Sequence, residues 1–253
     1  MTGHEGPDRG KPGRAILAER YPPRNTGGHR HPVHGMVVTD IQRASRDVIS
    51  RLGAHEVAKI ADAMAGGGLM RHVIKPVAPG TRLAGSAITV MGRPGDVLYV
   101  IRAADVAEEG DVVVIDGGGC AELAMIGDGI AYYMQKHRGI AGVVVDGGVR
   151  DIRGIRALAF PMFACGTSAR IHGAYGPGAI NVPIACGGVV VTPGDVIVGD
   201  DDGVVVVPRE YAESIADATD LLLAGEQRRR DLVDQGANLT ELRDLDPLLA
   251  VWR

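Results

Sequence analysis

The chain has 253 residues, enough for one large domain or two small ones, and 45% of them are hydrophobic while 23% are charged. This composition is typical of a globular protein, and the net charge of -4 gives no indication of nucleic-acid binding, which usually requires a basic face. Three cysteines without C-x-x-C spacing argue against a disulfide framework or a zinc ribbon. Apolar runs are too short for a membrane span and no N-terminal signal core is recognisable, so we expect a cytoplasmic protein without membrane association.

The first third of the chain divides into an arm and the start of a folded domain. Residues 1–35 are rich in Gly, Pro, His and Arg, which predicts a flexible N-terminal arm, with residues 36–253 forming a single domain. Apolar spacing from Asp40 to Met64 predicts a helix that three glycines, at 66–68, then end. A β-rich section follows and includes the strand Gly85–Met91.

The middle of the chain alternates between strand and helix patterns. Runs of valine such as 143–145 suit strands of a sheet that is covered on both faces. The pattern predicts a β-α-β-α-β unit with right-handed crossovers. Its expected elements are the strand Val112–Asp116, the helix Ala121–His137, the strand Gly142–Asp146, the helix Asp151–Leu158 and the strand Phe160–Cys165.

The last third returns to strands and then to helix. Val189–Val191 and Val204–Val207 flank the segment Asp200–Gly203, whose sequence favours a hairpin turn. Helix is expected from Arg209 to about Gln235. The sequence therefore predicts one α/β domain with mixed sheets, flanking helices and a C-terminal helix.

Two glycine-rich loops follow predicted parallel strands, where open α/β sheets usually bind ligands. The first is Asp116–Gly119 and the second is Asp146–Asp151, and each is expected to lead into a helix. Glycines let the backbone approach a ligand, and a helix N-terminus attracts anions. Because no G-x-G-x-x-G, P-loop or G-x-S-x-G motif occurs, the sequence does not support dinucleotide, P-loop or serine-nucleophile chemistry.

The adjacent pair Arg150 and Asp151 closes the second loop. The guanidinium fork of an arginine can bind a carboxylate, and an aspartate can hold a hard divalent cation together with several waters. The same two residues could instead form a surface ion pair, or the aspartate could cap a helix. The spacing alone leaves these alternatives open.

The run from residue 116 to 169 resembles the aldolase family that is related to the regulator of RNase E activity. The residues that carry the resemblance are Gly127-Asp128-Gly129-Ile130-Ala131 and the strand Gly139–Val145 followed by Asp146-Gly147-Gly148-Val149-Arg150-Asp151. Weaker similarity extends over about half the chain. The resemblance implies a swivelling β/β/α sandwich that assembles as a homotrimer or homohexamer. It also implies a 2-oxo acid as the small-molecule substrate.

The resemblance further implies roles for the Arg-Asp pair. Asp151 would hold Mg²⁺ or Mn²⁺, largely through waters. Arg150 would bind the 2-oxo oxygen of the substrate and stabilise the enolate that forms there.

The other implied site residues surround the substrate carboxylate. Backbone amides of Gly129 and Ile130, in the segment that Gly127 opens, would bind this carboxylate. Asp128 would orient Arg150 or a water. An acidic residue from the C-terminal helix of a neighbouring subunit would complete the site, and Glu226 is our candidate. The family usually has a larger apolar residue in place of Gly129, which suggests a looser or larger pocket here.

The resemblance thus predicts a metal-dependent aldolase that cleaves 4-hydroxy-2-oxo acids to pyruvate and decarboxylates oxaloacetate through the same enolate. The alternative is a non-catalytic binding protein that regulates an RNA-processing enzyme. The presence of Asp151 favours the enzyme, since the regulator needs no metal ligand. A Schiff-base mechanism is rejected because no lysine lies in either glycine loop. A quinone methyltransferase lacks support because no suitable cofactor loop occurs.

Overall fold

The computed structural model describes residues 33–251, so nearly all of the predicted N-terminal arm lies outside the described residues. Helices and strands alternate through much of this range. The helices are α1 (Arg46–Ala54), α2 (Val57–Ala63), α3 (Leu98–Val106), α4 (Asp128–Arg138), α5 (Ile152–Leu158), α6 (Ala212–Asp234), α7 (Leu239–Leu242) and α8 (Asp246–Ala250). The strands are β1 (Lys75–Pro76), β2 (Leu83–Met91), β3 (Val112–Ala124), β4 (Gly142–Val149), β5 (Met162–Thr167), β6 (Ala179–Ile180), β7 (Ile184–Cys186), β8 (Val189–Val191), β9 (Val196–Asp200) and β10 (Gly203–Val207).

The main sheet is mixed, with strand order β1-β5-β4-β3-β2-β9-β10. β2, β3, β4 and β5 are parallel, whereas β1, β9 and β10 pair antiparallel with their neighbours. The two edges of this sheet meet, because the Lys75 amine on β1 donates to the carbonyl oxygens of Asp201 and Asp202, in the β9–β10 turn, at 3.1 and 2.8 Å. The sheet therefore curls into a nearly closed barrel.

Both faces of the parallel strands are buried. On one face, Val113 and Val143 pack with residues of α3, α4 and α5. On the other face, Val112 and Val144 pack with Phe163 and with residues of β7, β9 and β10. The apolar burial of both faces explains the uninterrupted valine runs, since no strand position in these runs faces water. Helices α1, α2 and α6 cover the outer face of β9 and β10.

The structure confirms the mixed α/β fold with flanking helices and a C-terminal helix, and it corrects three predicted elements. The helix expected from Asp40 to Met64 is two helices, because Ser45 caps α1 and the chain is extended at His55 and Glu56. Val189–Val191 does not flank the hairpin turn, since it pairs with β7 as a separate ribbon. The turn instead joins β9 to β10.

The third correction concerns the helix predicted at Ala121–His137, which begins only at Asp128. β3 continues through the glycines to Ala124, with two irregularities in its pairing to β4. Gly118 and Gly119 adopt left-handed φ angles of 62° and 73°, which let the strand bulge without ending. The loop Asp116–Gly119 therefore does not lead directly into a helix, and this prediction was wrong.

Across residues 33–251, no helix is both long enough and apolar enough to cross a membrane.

Candidate active site

The carboxyl end of β4 carries the Arg-Asp pair. β4 ends at Val149, and Asp151 is the residue that precedes the first turn of α5. The backbone amide of Arg150 donates to the carbonyl oxygen of Ile126 at 3.1 Å, which ties this turn to the segment before α4. The end of β4 and the start of α4 therefore meet at the edge where parallel strands usually bind ligands.

The backbone of Asp151 is left-handed, with φ 59° and ψ 39°. Few residues other than glycine adopt this conformation, although aspartate is enriched among them, and such backbone strain clusters at functional sites. The Asp151 carboxylate makes no capping hydrogen bond to α5, and the side chain is 40% exposed. The interpretation of Asp151 as a side-chain helix cap is therefore wrong, whereas the alternative of an exposed ion pair with Arg150 is present in the structure.

Arg150 presents a hydrogen-bond donor that its own chain does not use. Its Nε lies 3.3 Å from Oδ2 of Asp151, so the two charges pair. The geometry does not make a hydrogen bond, and Nε is a buried atom with no hydrogen-bond partner among the described residues. An unpartnered buried donor is costly, and an acceptor atom of a ligand that reached Nε would satisfy it.

The N-terminus of α4 supplies further donors. Gly127 precedes the helix in an extended conformation and has no side chain to cap it. The first intrahelical hydrogen bond runs from the amide of Ala131 to the carbonyl oxygen of Gly127, at 3.1 Å. By helix geometry, the amides of Gly129 and Ile130 have no intrahelical acceptor. They can bind an anion, which the positive end of the helix dipole also favours. The sequence-predicted helix N-terminus therefore exists, but it follows Gly127 and not Gly119.

Two glycines bring the acidic side chains close to the backbone of the neighbouring helix. A methyl group on Gly127 would overlap the Asp151 carboxylate, and one on Gly154 would overlap the carboxylate of Asp128. Asp151 thus lies against the start of α4, and Asp128 lies against α5. A methyl group on Gly129 would meet no atom within 4 Å, so a larger side chain would fit at this position.

The Arg-Asp pair lines a cavity of about 290 Å³ at the ends of β4 and β5. The rest of its wall is formed by Val149, Ile152, Thr167, Ser168 and Ala169. A cavity of this size suits a small organic acid.

Glu226 does not lie in this cavity within one chain. Its carboxylate accepts a hydrogen bond from the Lys59 amine at 2.7 Å, and this interaction lowers the pKa of Glu226. The two residues line a separate cleft of about 500 Å³ together with Arg229 and Arg230. Only a neighbouring subunit could therefore bring Glu226 to the cavity of Arg150, so its role stays a prediction.

Asp146 on β4 is a buried carboxylate with several hydrogen-bond partners, and the sequence analysis did not predict this role. The Asp146 side chain is 6% exposed, and its Oδ1 accepts from Arg71 at 2.7 Å and from the Cys165 thiol at 3.1 Å. Its Oδ2 accepts from the amide of Gly187 at 2.9 Å. A carboxylate directly after a buried valine run needs such partners. Its position in the sequence therefore indicated a buried and hydrogen-bonded side chain. The sequence gives no indication that Arg71 supplies one.

The first glycine loop places the Asp116 carboxyl beside Asp146 and does not form an anion site. Asp116 pairs in register with Asp146, and burial raises the pKa of the Asp116 carboxyl, with the Asp146 charge acting in the same direction. The hydrogen bond from the Gly118 amide, at 2.9 Å, acts in the opposite direction. Two neighbouring carboxylates disfavour a bound anion, so the prediction of an anion site at Asp116–Gly119 is not supported by this geometry.

In the part of the chain that the structure describes, no three His, Cys, Asp or Glu side chains cluster in a way that could hold a metal ion. A closed zinc site among these residues is therefore absent. A cation at Asp151 would be held by one carboxylate and by waters, which is a common arrangement for Mg²⁺.

Fold and site together define a mixed α/β protein with a small pocket at the carboxyl ends of parallel strands. The family model for RraA-like proteins, described as Aldolase/RraA, matches residues 57–206. The chain belongs to this family.

Relatives and solved structures agree with this assignment. A protein of Halalkalibacterium halodurans, provisionally named a 4-hydroxy-4-methyl-2-oxoglutarate aldolase, is 43% identical over 175 residues, which cover 69% of this chain and 83% of the relative. An uncharacterized protein of Methanocaldococcus jannaschii is 36% identical over 175 residues, covering 68% of this chain and 84% of that one. The structure of a Streptomyces coelicolor protein, described as an unusual member of the RNase ES inhibitor RraA family, matches with a TM-score of 0.65 and 29% identity, over 74% of this chain and 98% of that one.

Proposed function

We propose that this chain is a divalent-metal-dependent aldolase that cleaves 4-hydroxy-2-oxo acids of the 4-hydroxy-4-methyl-2-oxoglutarate type to pyruvate. The observation that carries the proposal is the ion pair of Arg150 and Asp151 beside the start of α4, in which Arg150 Nε makes no hydrogen bond and the Asp151 carboxylate caps no helix. The name of the Halalkalibacterium halodurans relative supports the same activity.

The residues present fit Mg²⁺ or Mn²⁺ better than zinc. Asp151 offers an exposed carboxylate oxygen, which is the donor that hard cations prefer, and no His or Cys cluster accompanies it among the described residues. When bound there, the cation would act as a Lewis acid on the 2-oxo group of the substrate.

The protein groups account for the rest of the reaction. The amides of Gly129 and Ile130 hold the substrate carboxylate, and Arg150 donates to the 2-oxo oxygen. A base removes the proton of the C4 hydroxyl, and the C4–O bond becomes the carbonyl of the departing product. The C3–C4 bond breaks at the same time, and its electron pair moves into the enolate of pyruvate. Arg150 stabilises the charge that develops on the enolate oxygen. A proton then returns to C3, which completes pyruvate.

The remaining acids have proposed supporting roles. We assign Asp128 the role of orienting Arg150 or a water; its carboxylate lies against Gly154 of α5. Glu226 of a neighbouring subunit assists proton transfer. Loss of CO₂ from oxaloacetate leaves the same enolate, so the same site supports oxaloacetate decarboxylation.

The test is pyruvate formation from 4-hydroxy-4-methyl-2-oxoglutarate and from oxaloacetate by the purified protein. We expect turnover with Mg²⁺ or Mn²⁺, loss of turnover in chelator, and recovery when either ion is restored. Full turnover in excess chelator would remove Asp151 from the mechanism. Absence of turnover of both acids under all metal conditions would overturn the proposed function.

A regulatory binding function is the second candidate, because the Streptomyces coelicolor neighbour belongs to a family described as RNase ES inhibitors. Binding of that kind needs neither the Arg150 donor nor the Asp151 carboxylate. An assay of ribonuclease inhibition therefore separates the two functions: a regulator would retain full inhibition after Asp151→Asn, whereas an aldolase without this role would inhibit in neither form.

A further inference from the structure

A second cleft adjoins the cavity of Arg150. It measures about 780 Å³ and is lined by Ala121, Glu122, Thr167, Ser168, Ala169 and Arg170. Three of these residues, at 167–169, also form the wall of the Arg150 cavity. The second cleft therefore lies across one short loop from the Arg150 cavity.

Hydrogen bonds hold this loop in place at both ends. The Ser168 amide donates to the carbonyl oxygen of Val149 at 2.9 Å, and the amide of Ala124 donates to the carbonyl oxygen of Arg170 at 2.8 Å. The Ser168 hydroxyl donates to the Glu122 carbonyl oxygen at 2.6 Å and accepts from the Arg170 amide at 3.2 Å. The backbone of Arg170 is thus fixed to the ends of β3 and β4, which reduces the ordering cost of binding a ligand there.

The charge of Arg170 is not neutralised within the described part of the chain. The side chain is exposed, and none of the ion pairs found among residues 33–251 involves it, although Arg71 pairs with Asp146. Glu122 lines the same cleft, but its carboxylate accepts from the Cys120 thiol at 3.4 Å and makes no pair with Arg170. A planar guanidinium in this setting suits a carboxylate, which it can bind through two parallel donors.

We propose that this cleft binds the departing half of the substrate and that Arg170 pairs with a carboxylate on it. The inference rests on the proposed aldolase function and deepens it, because it names a residue of this chain that would select substrates with a second carboxylate on C4. Three carbons separate the two carboxylates in such a molecule, which places the second carboxylate beyond the 2-oxo group that Arg150 would bind. Arg170 is then a specificity residue, distinct from Arg150, which acts at the 2-oxo oxygen.

The experiment compares two substrates that differ at the distal end only in charge and size. The dicarboxylate is 4-hydroxy-4-methyl-2-oxoglutarate, and 4-hydroxy-2-oxopentanoate lacks the second carboxylate. We measure the ratio of their kcat/KM values with Mg²⁺ for the wild type, Arg170→Met and Arg170→Lys. Arg46→Met serves as the matched control, since Arg46 is exposed, lies on α1 and lines neither cavity.

We expect the wild type to prefer the dicarboxylate and Arg170→Met to lose this preference by about tenfold or more, the effect of one charge-assisted hydrogen-bond pair. The ratio for Arg170→Lys should lie between those of the wild type and Arg170→Met, and the ratio for Arg46→Met should match that of the wild type. An unchanged ratio in Arg170→Met, or equal losses on both substrates, overturns the inference while the aldolase function stands. If the wild type cleaves neither substrate, the proposed function itself fails and the inference fails with it. Arg170→Lys keeps the test decisive if Arg170→Met does not fold.

Discussion

The carboxylate of Asp151 lies against the Cα of Gly127, at the place where a methyl group on Gly127 would stand. This contact joins the end of β4 to the start of α4. It also sets the distance between the proposed metal ligand and the proposed carboxylate-binding amides.

Gly127→Ala should therefore weaken metal binding and leave the fold intact. The new methyl group displaces the end of a partly exposed side chain and not the backbone, and the φ of Gly127, -136°, is open to alanine. We expect roughly a tenfold or larger loss in the affinity for Mn²⁺ or Mg²⁺, as for other changes that misplace a ligand. Metal titration of activity measures it. Gly67→Ala is the control, because Gly67 lies in the turn after α2 and outside the candidate site; equal shifts in both variants would contradict the argument.

Arg150→Lys and Asp151→Asn should fail in different ways. Lysine keeps the positive charge but lacks the planar fork, so we expect kcat to fall by roughly 10²-fold, as for the loss of one oxyanion donor. Asp151→Asn weakens the cation site, so excess metal should restore part of its activity, whereas it should not restore Arg150→Lys. Steady-state rates across a metal titration distinguish the two. A normal rate for Arg150→Lys on both proposed substrates would remove the arginine from the mechanism.

Asp116→Asn and Asp146→Asn should change stability in opposite directions. The pKa of Asp116 is raised in the folded state, so this group binds protons more readily when folded, and its contribution to stability falls as the pH rises through the carboxyl range. Asparagine at 116 removes that penalty and keeps the acceptor for Gly118. Asparagine at 146 removes an acceptor from Arg71, Cys165 or Gly187 in a buried site and should cost about 2 kcal/mol.

Urea unfolding at pH 7 and pH 5 measures the free energy of unfolding of the wild type and of both variants. The gain from Asp116→Asn should be smaller at pH 5, where the wild-type carboxyl is closer to protonation. A loss of stability in Asp116→Asn as large as that in Asp146→Asn would show that Asp116 is held as an ion and not penalised.

The Cys165 thiol should resist alkylation in the folded protein. Burial and the adjacent Asp146 raise its pKa from 9.0 to about 12. At pH 8 its thiolate fraction is then about a thousandfold below that of an ordinary thiol, and the thiolate is the reactive form. Mass spectrometry after iodoacetamide treatment at pH 8 should show Cys165 unmodified in the native protein and modified in denaturant. Equal labelling rates in the two states would contradict the raised pKa.

Assembly should be required for activity. Apolar side chains of the C-terminal segment are exposed in one chain, including Leu221, Leu239 and Leu248, and Glu226 lies away from the Arg150 cavity. We expect a closed oligomer, a trimer or a dimer of trimers, with a light-scattering mass of three or six times the 26.4 kDa of one chain.

A mixing experiment tests the role of Glu226 in that assembly. Glu226→Gln and Arg150→Lys should each be impaired alone. If Glu226 completes the site of a neighbouring subunit, oligomers that contain both variants regain activity, because some sites then combine an intact Arg150 with an intact Glu226. No recovery in oligomers shown to be mixed would mean that Glu226 does not act across subunits.

The parallel strands can be predicted from the sequence alone, and so can the candidate Arg-Asp pair at the end of one of them. Valine runs such as 143–145 are buried on both faces, and that burial requires apolar residues at every position, so the pattern identifies the strand without reference to its neighbours. The motif at 146–151 is local as well, and its place at the end of a strand follows from the apolar run before it.

The start of α4 and the neighbours of the acids were decided only by the tertiary structure. β3 extends to Ala124 because β4 pairs with it across two bulges, and no local propensity records that pairing. The approach of Asp151 to Gly127, and of Arg71 to Asp146, joins segments that are far apart in the chain. Such contacts depend on how strands and loops from different parts of the chain pack together, and this is the physical reason why the sequence alone predicted candidate site residues but not their arrangement.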